Sequence, residues 1–392
     1  MCIVKLGATF IHTPAAAAVA LFTVSIHFSG FAAVDACVIL GPPIRTNGQL
    51  QFTLTGEPNV SYVLEQSADS QSWISILTNT SSSISRTITT DATGELSFYR
   101  ASRGPLPLFA FAIGAKGSIN LGGNGIQFDS FDSSNSQYST DGRYDAAKAR
   151  DHADIIFPSV TNAPLSIANA RIKGAIRTSP GVLPTIGPNG SVGDAAWVDG
   201  GDLGIKPGWW NDDAYVCWPN VLPPFTTGLA MTGGTWNGTN YTYLLGTANY
   251  LVNGSFTLLN GQILCVAAGE HAVLYATGSV DFKLGSLVYI AANATLKLFV
   301  GGATANFSTV NMSGSAEGLQ VFGLPTNTSS TWSSPTSTYK GVIYAPGASV
   351  TVSTGGSGAL DFEGALISRT FVANGHLHFH FDEALVQFGP TR

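Results

Sequence analysis

Between Asn249 and Val300 the chain is a close series of short apolar runs punctuated by Gly and Asn, with almost no charge. Phe256-Thr257-Leu258-Leu259, Gln262 to Val266, Ala272 to Tyr275, Val280 to Leu284, Leu287 to Ile290 and Leu296 to Val300 follow one another across turns of a few residues. Runs of this length and composition read as strands. So many short strands joined by such brief turns fit a chain that winds round one axis, each coil burying its inward side chains against the coils above and below. Outward positions are then free to be Ser, Thr, Asn or Lys, and Lys283 and Lys297 stand at such alternate places. The spacing suits three strands in a coil of roughly twenty residues, with no fixed period. The pattern predicts an all-β protein, a right-handed parallel β-helix over residues 109–388, with a large β-sandwich or jelly roll as the competing arrangement.

The same pattern sorts the rest of the chain. Gly341 to Phe388 supplies the final coils, ending in the alternating Leu377-His378-Phe379-His380-Phe381, whose Phe side should face the interior. Ala115 to Leu121 and Ile126 to Asp132 read as strands round a Gly-rich turn, and Ala146 to Asp151 as a short helix. Residues 194–243 break the regularity with Trp197, Trp209, Trp210, Trp218, Trp236 and Pro219, Pro223 and Pro224, and read as a lateral excursion or a functional surface. Open coil ends would expose backbone donors and acceptors and permit end-to-end self-association, with Phe388-Gly389-Pro390 blunting one of them before a tail at 389–392. Ahead of the coil, residues 37–103 alternate as a small antiparallel β-sandwich with Trp73 as its expected core anchor, joined through a Pro-containing linker at 104–108.

Residues 1–36 have the form of an export signal: Lys5, an apolar stretch from Ala15 to Val24, and small residues before a cut after Ala36. Val34-Asp35-Ala36-Cys37 keeps a lipoprotein alternative open. Charged residues are 11% of the chain, so the polar surface must be built from hydroxyls and amides, as in long secreted all-β proteins. A net charge of -6 with no Lys/Arg cluster gives no pull toward nucleic acid.

Two stretches resemble known groups. Phe52-Thr53-Leu54-Thr55-Gly56-Glu57-Pro58, Tyr62 to Ser67, Ser72-Trp73 and Phe98-Tyr99-Arg100-Ala101 resemble a short module of exported proteins from Verrucomicrobia-like bacteria. Tyr339 to Ala348, Gly364-Ala365-Leu366-Ile367 and His378 to Leu385, with Gly117-Ser118-Ile119 and Asp129-Ser130-Phe131-Asp132, are similar to uncharacterised exported bacterial β-helical domains, some associated with pilus assembly. The resemblance implies a surface role, with cell-envelope or pilus components as partners, and carries no catalytic assignment.

Candidate chemistry is sparse. His376, His378 and His380 share one side of a strand, and His378 and His380 beside Asp382 or Glu383 could hold a divalent metal, although imidazoles two residues apart stand about 7 Å from each other. Asp129, Asp132, Asp141 and Asp145 could bind Ca2+ or serve as a solvated loop. Trp209, Trp210 and Trp218 could stack on sugar rings or seal the excursion. Asp361 and Glu363 face one side of their strand, a single carboxylate pair for polysaccharide cleavage. Cys217 and Cys265 could form a disulfide, or Cys265 could simply be a small buried residue. The expected function is non-catalytic, structural or adhesive, secreted or at the cell surface; the rival is a polysaccharide-binding or polysaccharide-cleaving protein.

Overall fold

The computed structural model describes residues 39–389 apart from 48, 58–59, 68–71, 92–97, 104–106, 124, 160–163, 217, 309, 334–337 and 355–357. The expected signal peptide over 1–36, Cys37, most of the linker and Cys217 lie outside the described residues. The chain divides into two compact units, Met1–Leu106 with Tyr215–Pro219, and Pro107–Ala214 with Asn220–Arg392.

The first unit is antiparallel. Gln49–Thr55 pairs along one edge with Ile39–Leu40 and Ile44–Thr46 and along the other with Ser85–Asp91; Tyr62–Ser67 pairs with Ile74–Asn79 and Phe98–Arg103. Alternate residues of both sheets point into one core, where Phe52, Leu54 and Ile88 meet Tyr62, Leu64 and Tyr99. Trp73 is not its centre: half-buried, it lies under the Arg100 guanidinium, 4.2 Å from the ring centroid. That guanidinium also pairs with Glu65 at 2.7 Å, so Trp73 shields an ion pair rather than filling the core.

The second unit is a large, mostly parallel sheet wound on itself, with a four-stranded parallel sheet of Tyr243–Leu245, Ile263–Val266, Leu287–Ile290 and Val310–Ser313 and the short hairpin Gly234–Trp236/Thr239–Tyr241, a β-helix or solenoid-type architecture at the coarse level. A single buried row shows how it is stacked. Tyr250 lies beside Leu274, then Leu298, Val321, Ile343 and Leu366; Leu366 lies beside Ile113, then Ile155 and Ile176. The first steps in this row are 24 residues, from 250 to 274 to 298, so the regular coils do have a period. A second row runs Phe256, Val280, Ala305, Ser330, Val350, Phe371, Ile119 and Leu165, all buried. A third carries Tyr339, Phe362, Phe379, Phe128, Ile172 and Val192.

The rows expose a topology that sequence order conceals. The coil formed by the C-terminal residues docks on the coil that opens the unit: Ala359–Asn374 pairs with Ile113–Asn120, and His376–Asp382 with Gln127–Phe131. From that seam the earlier coils continue to Trp210–Asn211 at one end of the stack, and the later ones start at Asn249–Val252 at the other. Residues 212–242 carry the chain between the two ends, and Tyr243–Leu245 already pairs in parallel with Ile263–Val266. The excursion is therefore shorter than expected, since Gly204–Ile205 and Trp210–Asn211 still belong to the coil. Its far part covers a strand edge, with Leu229 bridging Tyr250 in parallel. The last strand, His376–Asp382, lies inside the stack rather than at an end of it, and Pro390, expected with Phe388 and Gly389 to blunt one end, lies outside the described residues.

Two details bend or cover the coil. Thr338–Ser353 and Ala359–Asn374 are continuous strands of 16 residues that turn corners without loops. Gly341 and Gly364 sit side by side at one such corner; Gly364 has φ of 146°, and a Cβ there would collide with the Gly341 carbonyl. Outward positions on one face are aromatic rather than Ser, Thr, Asn or Lys. Tyr275, Phe299, Phe322 and Tyr344 adjoin in that order, and Phe225 and Phe109 pack edge-on against Tyr275 and Tyr344 at 6.0 and 6.3 Å. The expected helix at 146–151 is a three-residue 3-10 turn, Ala146–Lys148. Among the described residues no helix is long and apolar enough to cross a membrane.

Candidate functional site: the seam of the coil

The densest cluster of ionisable side chains forms on the outer face of the strands that close the seam. Alternation dictates both faces. Inward, Tyr339, Phe362, Phe379 and Phe128 form an aromatic ladder with centroid separations of 4.8, 4.6 and 5.4 Å. Outward, the next residues along the same strands are Lys340, Glu363, His380 and Asp129, in cross-strand register and alternating in sign.

The two outer steps of this ladder are bonded, and Asp361 flanks its middle. Lys340 Nζ lies 2.7 Å from Glu363 Oε2, and His380 Nδ1 lies 2.6 Å from Asp129 Oδ1, directly across the seam. Asp361 Oδ1 sits 3.8 Å from His380 Nε2 and 3.2 Å from His378 Nδ1. Tyr144 covers the ladder: its ring stacks on the His380 imidazole at 3.6 Å, and its hydroxyl donates to Asp129 Oδ2 at 2.7 Å. The loop from 132 to 150 places that ring. Ser130 and Arg150 exchange backbone hydrogen bonds at its base, Asp145 caps the 3-10 turn, and Lys148 Nζ donates to the Ser139 carbonyl.

A second knot lies beside the first. Glu383 Oε1 accepts from Ser130 Oγ at 2.7 Å; Oε2 accepts from Arg150 at 2.5 Å and lies 3.1 Å from His152 Nδ1. Arg150 also stands over the Tyr138 ring at 4.1 Å. Asp382 Oδ1 accepts the backbone N–H groups of Ser133 and Ala384, each at 3.1 Å. Burial pushes the Asp382 carboxyl up to about 6, against the pull of its Ser133 bonds.

The charge states follow. Burial pulls the His380 pKa down, but hydrogen bonds to Asp129 and Asp361 outweigh it and push it up to about 9. His380 is thus an imidazolium at neutral pH. Hydrogen bonds from His378 and His380 hold Asp361 far below the usual carboxylate range, and burial followed by the Asp129 charge drives the Tyr144 phenol far up. An imidazolium has no lone pair, so His380 in this state is neither a metal ligand nor a general base.

The other sequence-predicted residues fall apart from one another. Asp129 spends both oxygens on His380 and Tyr144; Asp132 accepts from the Ser134 N–H and hydroxyl; Asp145 accepts from Ala147 N–H and Thr140; Asp141 occupies a left-handed turn position at φ of 52°. Among the described residues no group of three or more His, Cys, Asp or Glu side chains could hold a metal ion, so neither the expected Ca2+ loop nor a His378–His380 metal site is assembled. Trp218 is 1% exposed and offers no face to a sugar. Trp209 and Trp210 are half-buried, and Trp210 Nε1 donates to Thr178 Oγ1 at 3.1 Å. Cys265 is a free, buried thiol whose pKa burial pushes up to about 11; Cys217 lies outside the described residues. Sequence reasoning passed over Tyr144, Arg150 and the His380–Asp129 pair. The alternation of Gln127 to Phe131 and of His376 to Asp382 signals two strands with polar outer faces, but nothing local pairs residue 129 with residue 380.

The fold and this cluster define a large, mainly parallel all-β domain closed by a polar seam. A family model described as a domain of unknown function (DUF7305) matches residues 231–388, which are the coils on one side of that seam. No curated protein and no solved structure matches the chain.

Proposed function

We propose that this is an exported, non-catalytic structural or adhesive protein, acting at the cell surface or in an extracellular assembly: a right-handed parallel β-helix carrying a small antiparallel β-sandwich. Right-handed crossovers are the rule for parallel strands, which supports the hand. The observation that carries the functional reading is the fate of the ionisable groups. The densest set, Lys340, Glu363, Asp361, His378, His380, Asp129, Arg150 and Glu383, is consumed in mutual bonds that hold one coil to another. Lys340 pairs with Glu363, and hydrogen bonds from His378 and His380 hold Asp361 well below the usual carboxylate range, whereas a glycosidic general acid needs a raised pKa. The resemblance to exported β-helical proteins points to cell-envelope or pilus components as partners, and the export signal to secretion.

A polysaccharide ligand is the second reading, favoured by the adjacent, half-exposed Trp209 and Trp210 at one end of the stack. A glycan array probed with the mature chain, scored for both retention and released product, separates the two. The proposed reading expects neither signal; retention lost on Trp209→Ala, or any released oligosaccharide, overturns it. N-terminal sequencing of the exported product checks the export signal, with Cys37 as the expected first residue.

A further inference from the structure

We propose that the seam is an exchangeable interface: the strands that close it in one chain can be supplied by a second copy of this chain. The inference deepens the assembly reading above and rests on it only for its biological setting. Three observations carry it.

First, the seam joins segments that the chain does not join locally. Ser118 lies beside Thr370, and Asp129 beside His380, so the two sides are tied only by parallel pairing and side-chain bonds. Second, the matched family segment, residues 231–388, stops just past the last seam strand and contains none of the strands on the other side. That segment alone ends in an open coil edge where three buried rows stop, at Leu366, Phe371 and Phe379. Third, the connecting segment has slack. The stack between Asn211 and Leu251 is nine strand steps along one row, from Asn211 through Arg177, Ile156, Gly114, Ile367, Tyr344, Phe322, Phe299 and Tyr275 to Leu251. At about 4.8 Å a step this is roughly 43 Å, whereas residues 212–242, which precede the paired strand Tyr243–Leu245, can extend to about 105 Å. A connection that long reaches a neighbouring copy as readily as its own seam, and exchanging identical elements leaves every bond of the seam intact.

In the exchanged form the outer ladder is intermolecular: Asp129, Tyr144 and Arg150 of one copy meet His380 and Glu383 of the other. Reciprocal exchange closes a dimer, and head-to-tail exchange propagates a filament.

The test marks both sides of the seam. Ser118→Cys and Thr370→Cys together place two thiols on register partners that are partly exposed. The full chain carrying both, with Cys2→Ser, Cys37→Ser and Cys217→Ser so that the one other thiol is the buried Cys265, is made in unlabelled and 15N-labelled form. Equal amounts are unfolded together, refolded over a concentration series, and joined with a short bis-thiol reagent. Peptides linking 118 to 370 are then weighed. Exchange predicts linked pairs of mixed isotope, rising with concentration toward about half of all pairs, and oligomers by light scattering. Linked pairs of pure isotope at every concentration overturn the proposal, as does the absence of any 118–370 link. A chain with residues 212–242 shortened to about ten, the paired strand Tyr243–Leu245 being kept, can no longer span its own stack; it should oligomerise at all concentrations, and a shortened chain that stays monomeric and folded also overturns it. Neither outcome bears on the glycan array or on export, so the two proposals fail separately.

Discussion

The coils from Asn249 to Phe307 and the coils at the seam use one architecture and two kinds of fastening. In the regular coils the outer fastenings are hydroxyls and amides repeated at the coil period. Ser279 N–H donates to Ser255 Oγ and Thr304 N–H to Ser279 Oγ, each at 3.2 Å, and Gly254 N–H donates to Thr277 Oγ1 at 2.7 Å. At the seam the outer fastenings are charges of alternating sign. The difference follows from how register is chosen. Within the regular coils a short turn delivers each strand to its neighbour, and a steric and polar repeat suffices. At the seam the partners are some 250 residues apart along the chain, and a slip of one residue would turn every side chain to the wrong face. A two-residue slip in one direction would lay Asp129 beside Asp382, like charges that the His380–Asp129 register avoids.

The comparison can be broken first from the inside. Phe379→Ala opens the aromatic ladder at its middle ring and should cost about 3–5 kcal/mol, read as a fall in the urea midpoint of the coil unit. Phe282→Ala in the regular coils, stacked edge-on between Phe256 and Phe307, should cost a similar amount, because the interior is common to both regions. If Phe379→Ala is nearly silent, the seam is not a folded part of the coil.

The outside should separate the regions. His380→Ala leaves the half-buried Asp129 with only Tyr144 for a partner, and should cost about 3 kcal/mol. No single polar deletion on the outer face of the regular coils should approach that. The coupling between His380→Ala and Asp129→Asn in a double-mutant cycle would measure the pair itself.

The charge on His380 also predicts a pH dependence. Its folded pKa is raised to about 9, above the ordinary value near 6.5. The stabilisation is therefore fully present below about pH 6.5 and is lost as pH rises through about 9, a change of roughly 3 kcal/mol. Asp382 is raised too, to about 6, so its contribution falls between about pH 4 and 6 and is flat above. Hydrogen exchange of the Gln127–Phe131 and His376–Asp382 strands should accelerate, beyond the intrinsic rate increase, between pH 7 and 9.5; in His380→Gln that extra acceleration should vanish. An unchanged extra acceleration in His380→Gln would show that some other group opens the seam.

Smaller effects sharpen the contrast. Tyr144→Phe keeps the ring on His380 and removes only its bond to Asp129, for about 1 kcal/mol. Lys283→Ala removes an exposed pair with Asp281 on a regular coil and should change stability by less than about 0.5 kcal/mol.

Much of the fold was legible in the chain. The short runs from Phe256 to Val300 became strands, and His376 to Asp382 keeps Phe379 and Phe381 in the interior as alternation requires. The 24-residue step was present in the sequence but masked by short, variable turns, and it drifts to 23 and 22 further along the row, from 298 to 321 to 343. Trp73 was misjudged because the size of an aromatic ring does not say whether a core or a guanidinium lies beside it, whereas the burial of Trp218 fits the sealing alternative rather than the sugar platform. The candidate metal residues failed because proximity along the chain stood in for convergence in space. Asp132, Asp141 and Asp145 each serve their own loop, while Asp129 reaches across to His380.

What the sequence determined by itself was local: which residues alternate, where the chain can turn, and that a charge-poor surface of hydroxyls must cover an apolar interior. Hydrophobic periodicity and Gly or Asn at the turns are enough for that, because a strand and its next turn lie within a few residues of each other. The tertiary structure alone decided that the last coil fits beside the first, that His380 carries a proton between two carboxylates, and that the excursion runs from one end of the stack to the other. Those facts depend on pairings between residues far apart along the chain, and no pattern confined to a window of neighbours specifies which distant strand completes a sheet.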